Sequence, residues 1–193
     1  KMESVLVVSA GNQGLKYVNS PATWATAEDS NGNLLMGGKM LIAGGWDSAR
    51  KDVHRASNKA GHICIKVTAV GCDDKYRTSQ FYIMAPMWTY GANKRSNGDG
   101  YKTVGGTSYA APQISGAVAI ISQMWPHMKG EAITQLLFQT ANKDIPNYDL
   151  DRHGQGLLDL DKATQPVFAD NIPKIGRGDG TKVNLTGSFS LGG

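Results

Sequence analysis

Apolar positions along this chain fall into patterns that predict strands and helices before any single residue is singled out. Val5-Leu6-Val7-Val8 is a continuous apolar run that ends in Ala10-Gly11-Asn12-Gln13-Gly14. It predicts a buried parallel strand whose C-terminal end opens into a glycine-rich loop, where α/β sheets put their ligands. Leu41-Ile42-Ala43-Gly44-Gly45 predicts the next core strand. From Ala110 to Trp125 the apolar residues are not confined to one stripe, and Gly116, Ala117 and Ala119 leave room for close neighbours. That pattern predicts a buried, central helix. A second helix is expected over Lys129 to Thr140, with Ala132, Ile133, Leu136 and Leu137 at helical spacing. Ile63 to Val70, running out through Cys72-Asp73-Asp74, predicts a β-hairpin, and Asn97 to Tyr101 a turn leading into a strand at Lys102-Thr103-Val104.

Composition narrows the class. With 193 residues and 40% hydrophobic positions the chain can bury a sizeable core, and 24 glycines predict many turns. The net charge of +4 is modest and unclustered, with no basic run interleaved with aromatics, so no nucleic-acid surface is expected. No stretch is long enough for a membrane span and the first residues are no signal peptide. A chain that starts almost on a core strand is expected to have lost what preceded it. Cys64 and Cys72 are the two cysteines. The sequence leaves a disulfide and two buried thiols equally open, and neither cysteine has metal-ligand spacing to a partner.

The chemistry is expected where Gly105-Gly106-Thr107-Ser108-Tyr109-Ala110-Ala111-Pro112 meets the long helix. A serine opening a helix has its hydroxyl and N–H at the positive end of the helix dipole, which suits a nucleophile that attacks a carbonyl. Pro112 is tolerated because its missing N–H falls in the first turn. Taken alone, Thr107 or Ser108 is more simply a helix cap and Asn12 a turn residue. In company they resemble something else. Gly106 to Pro112 followed by Ser115-Gly116-Ala117 looks like the nucleophile motif of the subtilisin-like serine proteases, and Ser9-Ala10-Gly11-Asn12 resembles the segment that carries their oxyanion asparagine. Pro21-Ala22 and Ser57-Asn58-Lys59-Ala60-Gly61 fit the same order, the latter in the longer form seen in autotransporter subtilases. Gly154 to Ala163 matches the family's closing glycine turn, short strand and last helix.

The resemblance implies an α/β fold with a mainly parallel sheet, flanking helices and a buried central helix that starts at the catalytic serine. It implies a serine endopeptidase acting on polypeptides, with Ser108 as nucleophile and Asn12 in the oxyanion hole. Ser9, Ala10, Gly11 and Thr107 would bind substrate, and no metal and no redox or nucleotide cofactor is implied. Residues 1–168 would be the C-terminal part of the catalytic domain, and 169–193 a Gly/Ser/Thr-rich linker and strand-like tail in which Val183, Leu185, Phe189 and Leu191 alternate with polar residues. Such a tail resembles the passenger of a bacterial autotransporter, which implies a secreted or cell-surface protein. Arg177-Gly178-Asp179 is read as a chance match to an adhesion tripeptide.

Two departures stand out. Met87 occupies the place where the family usually has glycine after Ala85-Pro86, so the turn there is expected to differ. More seriously, the family's Asp and His should precede Asn12, and neither residue occurs among the first eleven positions. His54, His62, His127 and His153 all follow Asn12 and are read as surface or loop residues, as is Asp47 before Ser48-Ala49. Asn147 to Gly154 is rich in oxygen ligands, but an EF-hand counted from Asp149 would need its bidentate Glu at Leu160, so a solvated turn is expected. The chain therefore carries a nucleophile without a base. It is expected to be inactive alone, with an unpaired sheet edge near Val5 to Val8 covered by the N-terminal part of the same protease. The alternative is an inactive structural or adhesin-like passenger fragment.

Overall fold

The computed structural model describes residues 4–64, 67–72, 75–95 and 98–165. The linker, the alternating tail and Arg177-Gly178-Asp179 lie outside the described residues. The central sheet is built from β1 (Leu6–Ser9), β2 (Met40–Asp47), β3 (Asp52–Val53) and β6 (Tyr82–Pro86). β1 pairs parallel with β2, Leu6 opposite Met40 and Ser9 opposite Ala43, and β2 pairs parallel with β6, Ile42 opposite Tyr82 and Trp46 opposite Pro86. Only the two-residue β3 runs antiparallel, against Trp46 and Asp47. The fold is α/β with a mainly parallel sheet, as expected.

Two short antiparallel pairs stand apart from this sheet. β4 (Val67–Thr68) and β5 (Gly71–Cys72) form the expected hairpin, and Cys64 is disulfide-bonded. β7 (Trp88–Arg95) and β8 (Gly98–Gly105) make a longer hairpin, in register from Trp88 opposite Gly105 to Arg95 opposite Gly98. Its first strand was not anticipated. Met87 explains it: the residue sits buried between β6 and β7, and its N–H donates to the Trp46 carbonyl at 3.0 Å. The chain bends at Met87 and passes straight from β6 into β7, and bare Gly45 makes room for the Met87 sulfur.

Helix α1 (Thr107–Met124) begins at the serine motif, followed by α2 (Gly130–Thr140), α3 (Leu150–His153) and α4 (Leu160–Ala163). The expected turn at Asn147 to Gly154 is largely α3, because the Asp149 side chain accepts the Arg152 N–H at 2.9 Å and caps it. The closing strand is reduced to isolated bridges from Leu157 to Met84 and Asn142. Among the described residues no three His, Cys, Asp or Glu side chains gather to hold a metal ion, and no helix is long and apolar enough to cross a membrane.

Burial differs from the pattern in a consistent way. β2 is buried from Met40 to Gly45 and β6 from Tyr82 to Ala85, as continuous apolar runs demand. β1 is equally apolar but only half-buried, with Leu6 41% exposed, and among the described residues no strand pairs with its other edge. In α1 only Thr107, Ala110, Ile114, Ala117 and Ile121 are buried, a single stripe at heptad spacing. The opposite face, with Ser108, Ser115, Gly116, Ala119 and Ile120, is exposed, and nothing lies within 4 Å of a methyl built on Gly116. Both elements carry the apolar pattern of more burial than the described residues supply.

Inside the sheet, bare Gly44 faces the fully buried Tyr82 ring, which a methyl on Gly44 would overlap. Gly44→Ala is therefore expected to lower the unfolding free energy by about 1–3 kcal/mol, the usual cost of overpacking a core. Thermal melts against the parent protein check this, and an unchanged melting temperature contradicts it.

Candidate active site

β1 ends at Ser9 and hands the chain to a loop that only glycine can form. Gly11 has φ +106°, a region closed to residues with a Cβ, and the Gly11 carbonyl accepts the Asn58 N–H at 2.9 Å. On the other side of the site Gly106 precedes α1 with φ +147°, and its N–H donates to the Met87 carbonyl at 3.1 Å. The loop and the helix start meet through Asn12. The Thr107 N–H donates to Asn12 Oδ1 at 2.8 Å and the Thr107 hydroxyl donates to the same oxygen at 3.1 Å. Thr107 Oγ1 in turn accepts the Gly11 N–H at 3.3 Å.

These bonds fix how the Asn12 amide is oriented. A backbone N–H can only donate, so the group facing it must be the amide oxygen, and the Asn12 NH₂ is left pointing away from Thr107. Asn12 and Ser108 are both exposed, on either side of buried Thr107. At the second position of α1, the Ser108 N–H is one of the first-turn donors that no helical carbonyl reaches. Two neutral donors and one hydroxyl thus gather at the positive end of an 18-residue helix, an arrangement suited to stabilising a negative oxygen.

The residues expected to touch substrate divide into two groups. Ser9 and Gly11 are partly exposed along the edge of the loop. Ala10 and Thr107 are fully buried. Ala10 lies in the core with its N–H on the Ala43 carbonyl, and its own carbonyl accepts Asn58 Nδ2 at 3.0 Å. Thr107 turns its hydroxyl inward, so the structure makes it the clamp behind Asn12. Nothing in the motif reveals this, because a threonine beside a nucleophile faces inward or outward according to the helix start it opens.

An α/β fold with a serine and an asparagine amide at the C-terminal end of a parallel sheet is a hydrolase-like arrangement. The subtilase family model matches residues 1–158, and the chain belongs to the subtilase family. It is 26% identical over 187 residues to a probable subtilase-type serine protease of Deinococcus radiodurans, covering 93% of this chain and 23% of that protein. Subtilisin BL of Lederbergia lenta is 26% identical over 162 residues, 81% of this chain and 59% of its own length. The chain thus spans about a quarter of the first of these relatives and less than two thirds of the second. Among solved structures, the prenylagaramide maturation protease PagA aligns with TM-score 0.57 at 20% identity over 83% of this chain and 50% of its own. The self-cleaved protease domain of PatA aligns with TM-score 0.55 at 24% identity, over 82% and 48% respectively.

The histidines do not all lie where the sequence suggested. His127 is exposed and His62 half-buried; His54 lies in the loop after β3, though buried at 9% exposure, and His153, on α3 and 1% exposed, is neither the surface nor the loop residue it was read as. The reason is tertiary. His54 accepts the Ala56 N–H on Nδ1 at 3.2 Å and meets the Trp88 ring edge-on. His153 Nδ1 lies 3.0 Å from the Asp149 amide nitrogen and 3.2 Å from the Asp149 carbonyl, and its Nε2 faces Asp52 Oδ1 at 2.9 Å, where a carboxylate oxygen can accept from a proton-bearing nitrogen. Arg152 grips the same carboxylate with Nε and Nη2, at 3.1 and 2.6 Å. This cluster ties β3 to α3, with His153 engaged at both ring nitrogens.

Burial pushes the Asp52 carboxyl up, but the bonds from Arg152, His153 and the Val53 N–H outweigh it and hold the group well below the usual carboxylate range. A carboxyl depressed in the folded state stabilises the protein above its ordinary value of 3.8 and loses that contribution as pH falls through the lower folded value. Asp52→Asn is expected to cost roughly 1–3 kcal/mol at neutral pH, the range for hydrogen bonds to a charged group. The gap to the parent should narrow in acid below 3.8, where the parent's own carboxylate protonates. Urea titrations at neutral and acidic pH test this, and a pH-independent gap contradicts it.

Proposed function

We propose that the assembled protein is a serine endopeptidase in which Ser108 Oγ attacks the scissile peptide carbonyl to form an acyl-enzyme. A His on a companion part accepts the Ser108 proton and passes it to the leaving amine, and an Asp beside that His holds the imidazole in register. The Asn12 amide and the Ser108 N–H donate to the oxyanion of the tetrahedral intermediate. Ser9 and Gly11 edge the pocket for the residue before the scissile bond, while Thr107 holds Asn12. The observation that carries this reading is the double hydrogen bond from Thr107 to Asn12 Oδ1, which leaves the NH₂ of exposed Asn12 as a donor at the helix start where Ser108 is also exposed.

The companion is the N-terminal part of the same protease, and this chain is inactive without it. In support, β1 and α1 are apolar on faces that this chain leaves exposed, and the relatives it matches extend well beyond the aligned region. A disulfide-bonded Cys64 supports an oxidising compartment, and so a secreted or cell-surface protein.

A fluorophosphonate probe tests the reading directly. The assembly is expected to be labelled on Ser108, with labelling abolished in Ser108→Ala and absent from the isolated chain. If neither the assembly nor the chain reacts, the protein is instead an inactive structural or adhesin-like fragment. In the assembly, Asn12→Ala should lower kcat by about 100- to 1,000-fold with KM little changed, the usual cost of losing an oxyanion donor in enzymes of which subtilisin is one.

A further inference from the structure

Asn58, in the Ser57-Asn58-Lys59-Ala60-Gly61 turn, has no part in the chemistry above, yet it is fully buried and every polar capacity of its amide is used. Its Oδ1 accepts the N–H groups of Gln13 and Leu15, at 3.1 and 3.0 Å. Its Nδ2 donates to the Ala10 carbonyl at 3.0 Å and to Gln13 Oε1 at 3.1 Å. An asparagine that merely shapes a turn bonds to its own backbone within two or three residues. Asn58 instead reaches 43 to 48 positions back along the chain, and all four bonds enter the loop that carries Asn12. Two N–H donors on one side and a carbonyl on the other leave the amide a single orientation.

The approach is close enough that a methyl on Gly11 would overlap Asn58 Nδ2, so bare Gly11 is the counterpart of this side chain. Asn58 is itself held from below. Its carbonyl accepts the Tyr82 hydroxyl at 2.8 Å and the Ser57 hydroxyl at 3.0 Å, and Ser57 Oγ also accepts the Gly45 N–H at 3.0 Å. Tyr82 is fully buried on β6, with bare Gly44 making room for its ring. A line of contacts therefore runs from the central strands through Tyr82 and Asn58 to the Asn12 loop, whose far side is clamped by Thr107.

We infer that Asn58 is a positioning residue for the oxyanion donor: it sets the backbone of Ala10 to Leu15 so that the Asn12 amide is aimed before substrate arrives. The inference rests on the peptidase reading and adds to it a residue that touches no substrate. Preorganisation of this kind acts on kcat, because the oxyanion exists only once the carbonyl has been attacked.

Asn58→Asp keeps the shape and the acceptor for Gln13 and Leu15 but turns a carboxylate oxygen against the Ala10 carbonyl. In the full-length protease it is expected to lower kcat by about 10- to 100-fold, part of what losing the donor outright would cost, with KM within about twofold. In an Asn12→Ala background the same change should lower kcat by less than about threefold, because a residue acting through Asn12 loses its effect when the Asn12 amide is gone. Tyr82→Phe, which keeps the ring and removes one bond to the Asn58 carbonyl, serves where Asn58→Asp fails to fold. It should lower kcat by about two- to fivefold, with the same dependence on Asn12. Amide exchange gives a readout independent of turnover: the Gln13 and Leu15 N–H groups should lose protection in either variant while those of β2 keep theirs. Equal losses of kcat in both backgrounds, a rise in KM as large as the fall in kcat, or unchanged exchange at Gln13 and Leu15 would overturn the inference. If the parent protein cleaves no peptide, the peptidase reading fails, and exchange alone still decides whether Asn58 holds the loop.

Discussion

The hydrogen bond from the Thr107 N–H to Asn12 Oδ1 joins the end of β1 to the start of α1, and the candidate site exists only while it is made. An N–H in the first turn of a helix has no helical acceptor, so it is free to hold something else. Here it holds a side chain from the loop after β1, and the Thr107 hydroxyl doubles the contact. The glycines on either side make the meeting geometrically open. Gly11 and Gly106 both take backbone angles that a Cβ would forbid, and each lets its segment turn sharply enough to face the other. With its oxygen occupied, the Asn12 amide is left with donors alone, which is the polarity an oxyanion needs.

Around that contact the molecule is rigid in one direction and open in the other. Below the site β2 and β6 are buried, and Tyr82, Ser57 and Asn58 form a polar line in which each oxygen has a partner. Burying so many polar groups costs little when each is satisfied, and it leaves the loop one arrangement. On the β1 side, by contrast, burial is incomplete among the described residues: Val7 and Val8 are only partly buried against the core, Leu6 stands exposed, and α1 shows solvent a face of small and apolar side chains. Exposed apolar surface next to an open sheet edge is a place for association, and it fits the companion part that the proposed chemistry needs.

Much of this could be read before folding. The parallel strands at β1 and β2, α1 and α2, the β4–β5 hairpin and the pairing of Asn12 with Ser108 as candidates all followed from runs, periodicity and motif. What escaped had long-range causes. His153 looked like a loop residue because its neighbours Arg152 and Gly154 are those of a turn, and only Asp52, 101 positions away, draws it inside. β7 escaped because Met87 was read against a glycine, and the bond that seats Met87 before β7 comes from distant Trp46. β1 and α1 were expected to be buried, since an apolar pattern records the burial a segment requires and not whether its own chain provides it.

The division follows from the range of the forces involved. Helix periodicity, the length of an apolar run and the backbone freedom of glycine act within a few residues, so the order of residues alone determined where β1, β2, the long helix and the glycine turn after β1 lie. Hydrogen bonds between distant side chains depend on which segments the sheet brings together. The fold alone therefore decided that Thr107 faces inward, that Asn58 grips a loop 43 to 48 positions earlier, and that the Asn12 amide turns its oxygen to Thr107.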